Sequence, residues 1–151
     1  MKAATKFIHA GAEPDPSTGA IMTPIYQTST YVQEAPAKNK GYEYARSQNP
    51  TRTALEKAYA IIENGNYALA FGSGVAATDA VIKLLQPGDE VVCGNDMYGG
   101  TYRLFTKVFE KFGIKFIYVD TTNADNIKNA YRVDSAPGIK PSYPLSYSLR
   151  G

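Results

Sequence analysis

Cysteine and histidine are nearly missing from these 151 residues, which hold one of each, Cys93 and His9. A lone cysteine closes no internal disulfide, and no charged-then-apolar leader opens the chain, so a reducing, cytoplasmic setting is expected. An isolated histidine without a nearby Cys, Asp or Glu cluster is more often structural than catalytic, and no metal site is expected. An excess of one charge is missing as well: 16 basic residues face 14 acidic ones, for a net charge of +2, with the two signs interspersed. Without a basic stripe, specific recognition of DNA or RNA is a poor fit. No apolar run is long enough to cross a bilayer. The composition that remains, 44% apolar and 20% charged residues, is ordinary for a globular domain with a real core.

The stretch around which the rest is organised is Ala70-Phe71-Gly72-Ser73-Gly74-Val75-Ala76-Ala77. Ahead of it, Tyr67 to Phe71 is short, almost wholly apolar and opened by Asn64-Gly65-Asn66, which predicts a buried strand. Behind it, Val75, Ala76, Ala80, Val81, Leu84 and Leu85 recur at helical spacing until Pro87-Gly88 stops the run. A Gly-Ser-Gly junction at a helix N-terminus offers unshielded backbone N–H groups where the macrodipole favours negative charge, which makes a seat for phosphate. Small residues that merely permit a tight strand-to-helix turn explain the same stretch, and both readings stand on it alone.

Residues 1–48 lack a convincing helix or a clean alternation, and Pro14, Pro16, Pro24 and Pro36 interrupt them. They are expected to form an extended N-terminal arm. Their aromatic and β-branched residues (Ile25, Tyr26, Tyr31, Val32, Tyr42, Tyr44) suit contact with a partner subunit or a ligand better than disorder. Regular patterning begins at Asn49, which can cap a helix with Pro50 in its first position and Ala54, Leu55, Ala58, Ile61 and Ile62 on one face. After the glycine turn come a strand at Glu90 to Cys93, a loop over Gly94 to Gly100, and a helix carrying Leu104, Phe105, Val108, Phe109 and Phe112. Gly113 closes that helix, Ile114 to Val119 is a further strand, and Asn126 to Tyr131 starts another helix. This alternation predicts an α/β fold with a mostly parallel sheet and right-handed crossover helices over residues 49–131. Ligands in such sheets sit at the carboxyl ends of strands, so Gly72 to Gly74 and Asp96 to Gly100 are expected to share one pocket. Residues 132–151, rich in serine and proline and without an apolar face, are expected to be a disordered or foreign tail.

Other motifs carry chemistry with less force. Gly72-Ser73-Gly74-Val75-Ala76-Ala77 also fits the G-x-G-x-x-A dinucleotide fingerprint, with Asp96 near the place of a ribose-binding acid, so a Rossmann-type NAD-binding domain is an alternative. Against it stands the long stretch before the first strand, since that fold normally opens with its fingerprint. Tyr44-Ala45-Arg46 sets a phenol and a guanidinium two residues apart, facing one way if the chain is extended, which suits a phosphate dianion. A solvated arginine beside a packing tyrosine is the plainer account. Tyr98, followed by Gly99-Gly100, can bring its ring close to a flat ligand, or it is an ordinary turn tyrosine. Cys93 is read as a buried strand residue.

Taken in order, Tyr44-Ala45-Arg46-Ser47-Gln48-Asn49-Pro50-Thr51-Arg52, then Phe71-Gly72-Ser73-Gly74, then Tyr98-Gly99-Gly100-Thr101-Tyr102-Arg103 resemble the successive N-terminal motifs of the Cys/Met-metabolism family of pyridoxal-phosphate (PLP) enzymes. The opening Thr5-Lys6-Phe7-Ile8-His9-Ala10-Gly11 is similar too, and the resemblance runs from about residue 5 to about residue 131. It implies a fold-type I PLP-dependent transferase-like architecture, here incomplete, with pyridoxal 5'-phosphate as cofactor. It implies homotetramers built from dimers whose active sites are shared between subunits. By motif, Gly74 and Val75 would give backbone N–H groups to the cofactor phosphate and Tyr98 would stack on the pyridine ring at the catalytic centre. Tyr44 and Arg46 would reach the phosphate of the neighbouring subunit's cofactor.

The resemblance also implies a reaction: γ-elimination or γ-replacement on cystathionine or O-acylhomoserine-type amino acids, as in cystathionine γ-synthases and γ-lyases. β-Lyases and O-acetylhomoserine sulfhydrylases share the pattern. Methionine γ-lyases usually carry a cysteine two residues after the stacking tyrosine, where Gly100 stands here. The family's Schiff-base lysine, in a Ser-x-Thr-Lys-like segment, and the aspartate that holds the pyridinium nitrogen have no counterpart in this sequence. The expectation is therefore of a truncated chain that is inactive alone, with Lys107 or Lys111 open to adventitious labelling. A non-catalytic assembly fragment that docks on full-length subunits is the alternative from a different class.

Overall fold

The computed structural model describes residues 3–133, the side chains of Ala3, Arg132 and Val133 excepted. The chain divides between Gly72 and Ser73 into two units. All but the first two residues of the expected tail lie outside the described part, and those two complete the last helix.

In the first unit the arm is less bare than its prolines imply. Ala3–His9 form a short helix, α1, against the expectation of none before Asn49. Alanine and lysine favour it, and Lys6 and His9 fall in its last turn, where the dipole attracts positive charge. Seven residues are too few for an apolar periodicity to show. Gly11 ends the segment with φ of +71°, and a Cβ there would lie 2.8 Å from the Ala54 carbonyl and the Ala58 nitrogen. Only glycine lets this backbone approach the next helix so closely.

Further along, the arm folds back on itself. Thr30 and Tyr44 form an antiparallel bridge; the Ala45 N–H donates to the Ser29 carbonyl at 2.8 Å, and the Tyr31 N–H to the Glu43 carbonyl at 3.1 Å. The Tyr31 and Tyr42 rings lie 5.6 Å apart across it. Helix α2 (Pro50–Ile62) starts as expected: Asn49 Oδ1 accepts from the Thr51 N–H and Pro50 occupies the first turn. Its apolar face is only partly covered, since Ala60 is buried while Leu55 and Ile61 remain 47% and 44% exposed. The segment Tyr67 to Phe71, expected as a buried strand, is neither strand nor buried: Tyr67, Leu69 and Phe71 are exposed. It pairs with no strand among the described residues, and the Ala70 N–H finds a side chain instead, Glu56 Oε1 at 3.0 Å.

The second unit follows the alternation read from the sequence: α3 (Gly74–Ile82), β1 (Glu90–Gly94), α4 (Gly99–Lys107), β2 (Lys115–Val119) and α5 (Ala124–Val133). The strands β1 and β2 are parallel, with Glu90 opposite Lys115 and Gly94 opposite Val119. Ile82, Phe105, Phe109 and Ile114 make the core, and Phe105 stacks on Phe116 with ring centroids 4.2 Å apart. The helix expected to run to Phe112 breaks at Val108. Residues Phe109–Phe112 continue as a 3₁₀ turn closed by Gly113 at φ +81°, and the tighter winding leaves Phe112 63% exposed.

Candidate functional site

Ser73 initiates α3 from an extended conformation, and its Oγ accepts from the Ala76 N–H at 3.1 Å. That satisfies one donor of the first turn and leaves the Gly74 and Val75 N–H groups, which have no helical acceptor, pointing out of the end. No acidic residue lies in the first turn, and nothing stands within 4 Å of where a Cβ would sit on Gly72 or Gly74. This is an open helix N-terminus with positive potential and no internal carboxylate to occupy it.

Tyr98 follows the loop that leaves the carboxyl end of β1. Met97, half-buried against the core, anchors that loop. Tyr98 occupies the N-cap position of α4, where its carbonyl accepts from the Thr101 and Tyr102 N–H groups at 2.9 and 3.1 Å. Its ring is 72% exposed and lies over Gly100: a Cβ at residue 100 would sit 2.4 Å from Tyr98 Cε1. The face of this aromatic is therefore open to a flat ligand, and glycine at 100 permits its pose. Of the two loops expected to share a pocket, this one leaves the end of a formed strand. The glycine turn at residues 72–74 does not, because its expected strand is not formed.

Tyr44 and Arg46 meet, by a different route from the one expected. Their chain is not extended but turns, the Tyr44 carbonyl accepting from the Ser47 and Gln48 N–H groups at 3.1 and 2.9 Å. The Arg46 guanidinium carbon lies 4.9 Å above the Tyr44 ring centroid, and both residues are exposed. The stacked guanidinium keeps its donors free for an anion.

In the sequence Arg52 stands out only as part of a motif, and Glu56 not at all. The structure sets Arg52 under the Tyr44 to Ser47 turn, its Nη2 donating to the Ser47 carbonyl at 2.7 Å. The signal that could have found the pair is its i,i+4 spacing on α2, with Nε to Oε1 at 3.7 Å. Cys93 lies on β1 as read, half-buried rather than buried, and burial pushes its thiol up to about 11. Burial likewise pushes the Tyr118 phenol up to about 12. Neither is a nucleophile at neutral pH. Asp96 lies exposed in its loop, and His9 lines a cleft of about 350 Å³ in the first unit that includes none of the five candidate residues.

Residues 4–136 match the model of the Cys/Met metabolism PLP-dependent enzyme family. The chain belongs to this family. Among its relatives, it is 53% identical over 127 residues to the cystathionine beta-lyase of Coxiella burnetii, covering 83% of this chain and 33% of that protein. It is 48% identical over 143 residues to the cystathionine gamma-lyase of Bacillus subtilis, covering 95% of this chain and 37% of that one. The crystal structure of metB from Corynebacterium glutamicum superposes with a TM-score of 0.80 at 48% identity, over 86% of this chain and 34% of that chain. The chain thus spans about a third of the length of the curated relatives it matches. Membership brings with it the fold class read from the sequence and pyridoxal 5'-phosphate as the cofactor of the family. The residues present fit that cofactor: an open helix N-terminus and a free guanidinium suit its phosphate, and an exposed ring over glycine suits its pyridine.

Proposed function

We propose that the chain furnishes the phosphate-gripping and ring-stacking part of a PLP-dependent transsulfuration enzyme that acts on cystathionine or an O-acylhomoserine-type amino acid. The observation that supports this reading is the start of α3, where Ser73 caps the Ala76 N–H and leaves Gly74 and Val75 open with no acidic residue in the first turn. Those two N–H groups hold the cofactor phosphate, and Tyr98 covers one face of the ring. Tyr44 and Arg46, on their exposed turn, serve the phosphate in a neighbouring subunit, so that sites are shared within a cytoplasmic homotetramer. The cofactor supplies the electron sink for a carbanion beside the amino group. The names of the relatives divide among β-lyase, γ-lyase and γ-synthase, which supports cystathionine-type chemistry at either carbon. The lysine segment is not in these 151 residues, so no turnover is expected from this chain alone.

Titration of the chain with PLP, and with pyridoxal lacking the phosphate, tests the reading. Gly74→Ala keeps the backbone N–H and meets no protein atom within 4 Å, so it serves as the steric reference for the charged variant. Gly74→Asp places a carboxylate at the phosphate seat and should weaken PLP by about tenfold or more, while pyridoxal changes little. Equal PLP affinity in Gly74→Asp and the unaltered chain would overturn the reading.

A further inference from the structure

One ion pair in the first unit touches two segments that matter for phosphate. Arg52, half-buried on α2, reaches the backbone of the Tyr44 to Ser47 turn: Nη2 donates to the Ser47 carbonyl at 2.7 Å, with longer contacts to Arg46 at 3.5 Å and, from Nη1, to Ala45 at 3.4 Å. Its Nε lies 3.7 Å from Glu56 Oε1. The same Oε1 accepts the Ala70 N–H at 3.0 Å, two residues before Gly72 and four before Gly74 in the sequence. A planar fork with five donors can hold carbonyls and a carboxylate at once, which a lysine ammonium on a flexible stem does less well.

We infer that Arg52 and Glu56 are positioning residues for phosphate binding, one side-chain pair fixing both the turn that presents Tyr44 and Arg46 and the backbone that leads into Gly72-Ser73-Gly74. Neither touches the phosphate. Arg52 draws the carbonyls of residues 45–47 onto α2, so the Arg46 side chain leaves the turn from a fixed backbone. Glu56 holds Arg52 with its charge and Ala70 with its lone pairs. The segment from Tyr67 to Phe71 forms no strand among the described residues, so this bond is its tie to α2. The inference rests on the reading that residues 46 and 74 meet a phosphate.

The test uses the full chain with Glu56→Ala, Glu56→Gln and Arg52→Lys, and with Arg46→Ala as reference. Affinity for PLP and for pyridoxal is titrated, and amide hydrogen exchange is followed at Ala70, with Val92 and Ile117 as reporters of the second unit. Glu56→Ala should speed exchange at Ala70, leave Val92 and Ile117 as they were, and lower the preference for PLP over pyridoxal by about two- to tenfold. Glu56→Gln keeps a carbonyl oxygen for Ala70 but no charge for Arg52; it should preserve protection at Ala70 and lose part of the preference. Arg52→Lys should lose a similar part. A purely structural role would speed exchange without altering the preference for the phosphate form. If Arg46→Ala lowers that preference while the Glu56 and Arg52 variants do not, the positioning role is overturned and the functional reading stands. The titrations are run at concentrations where sedimentation shows the chain associated, and if Arg46→Ala leaves the preference unchanged there, the functional reading of the arm fails, and the positioning role with it.

Discussion

Asp15 accepts from the Ser17 backbone N–H at 2.9 Å and hydroxyl, from the Thr18 N–H and hydroxyl at 3.0 and 3.1 Å, and from the Tyr26 hydroxyl at 3.0 Å. Donors to a carboxylate favour its charged form, and the Ser17 hydroxyl, then that of Tyr26, holds Asp15 down to about 2 from an ordinary 3.8. Because the folded value is the lower one, the charged carboxylate stabilises the arm above the unfolded value. That contribution is lost as pH falls from 3.8 towards about 2. An NMR titration of the Asp15 carboxyl should therefore find a midpoint near 2, and Tyr26→Phe should raise it. A midpoint at the ordinary value in the unaltered chain would mean that this loop does not close as described. Gly100 sets a second residue-scale expectation. Since a Cβ there would lie 2.4 Å from Tyr98 Cε1, Gly100→Ala should swing the ring off its backbone, visible as a change in the Tyr98 ring shifts, and weaken PLP binding.

Among elements, the start of α2 joins the arm to the regular part of the chain. Asn49 Oδ1 caps the Thr51 N–H at 2.9 Å while Nδ2 donates to the Tyr26 carbonyl at 3.0 Å. Thr51 Oγ1 in turn accepts from the Tyr26 N–H and donates to the Pro24 carbonyl, both at 2.9 Å. Asn49→Asp keeps the cap acceptor and loses the donor, whereas Asn49→Ala loses both, so thermal melts should rank the two with Ala the less stable by about 1 kcal/mol or more against the unaltered chain. Equal melting of all three would show the cap to be idle. This element was legible in the sequence because its signals are local: a capping asparagine, a proline at the first position, and an asparagine with φ +55° at residue 64 past its end. The same holds for β1, β2 and their parallel pairing. The strand expected at Tyr67 to Phe71 does not form, because a short apolar run records only that a segment is fit for burial; whether a neighbouring strand exists is not local information. The meeting of Tyr44 and Arg46 was legible as a pair of residue types but not as a turn, which depends on Arg52 gathering carbonyls from α2.

At the scale of the whole molecule, apolar surface stays uncovered in both units. Tyr67, Leu69 and Phe71 are 91%, 76% and 45% exposed in the first, and Leu84 and Phe112 are 70% and 63% exposed in the second. The sheet of the described residues has two strands, each with one unpaired edge, and two strands with a modest core are marginal by themselves. Each fully covered Leu or Phe side chain contributes about 1.5–3 kcal/mol, so covering several of these together offsets much of the cost of about 4–15 kcal/mol for bringing chains together. The chain is therefore expected to self-associate, its sedimentation coefficient rising with concentration. Leu69→Lys with Phe71→Lys should lower the association, because charges on an extended unpaired segment oppose edge-to-edge pairing. Lys38→Glu, beside Glu34 on the arm, changes a charge outside the segment Tyr67 to Phe71 and should lower association less than the double lysine variant. A single sharp monomer boundary at every concentration, with a cooperative melt, would contradict this expectation, since it would mean that these exposed side chains and two open strand edges are tolerated without a partner.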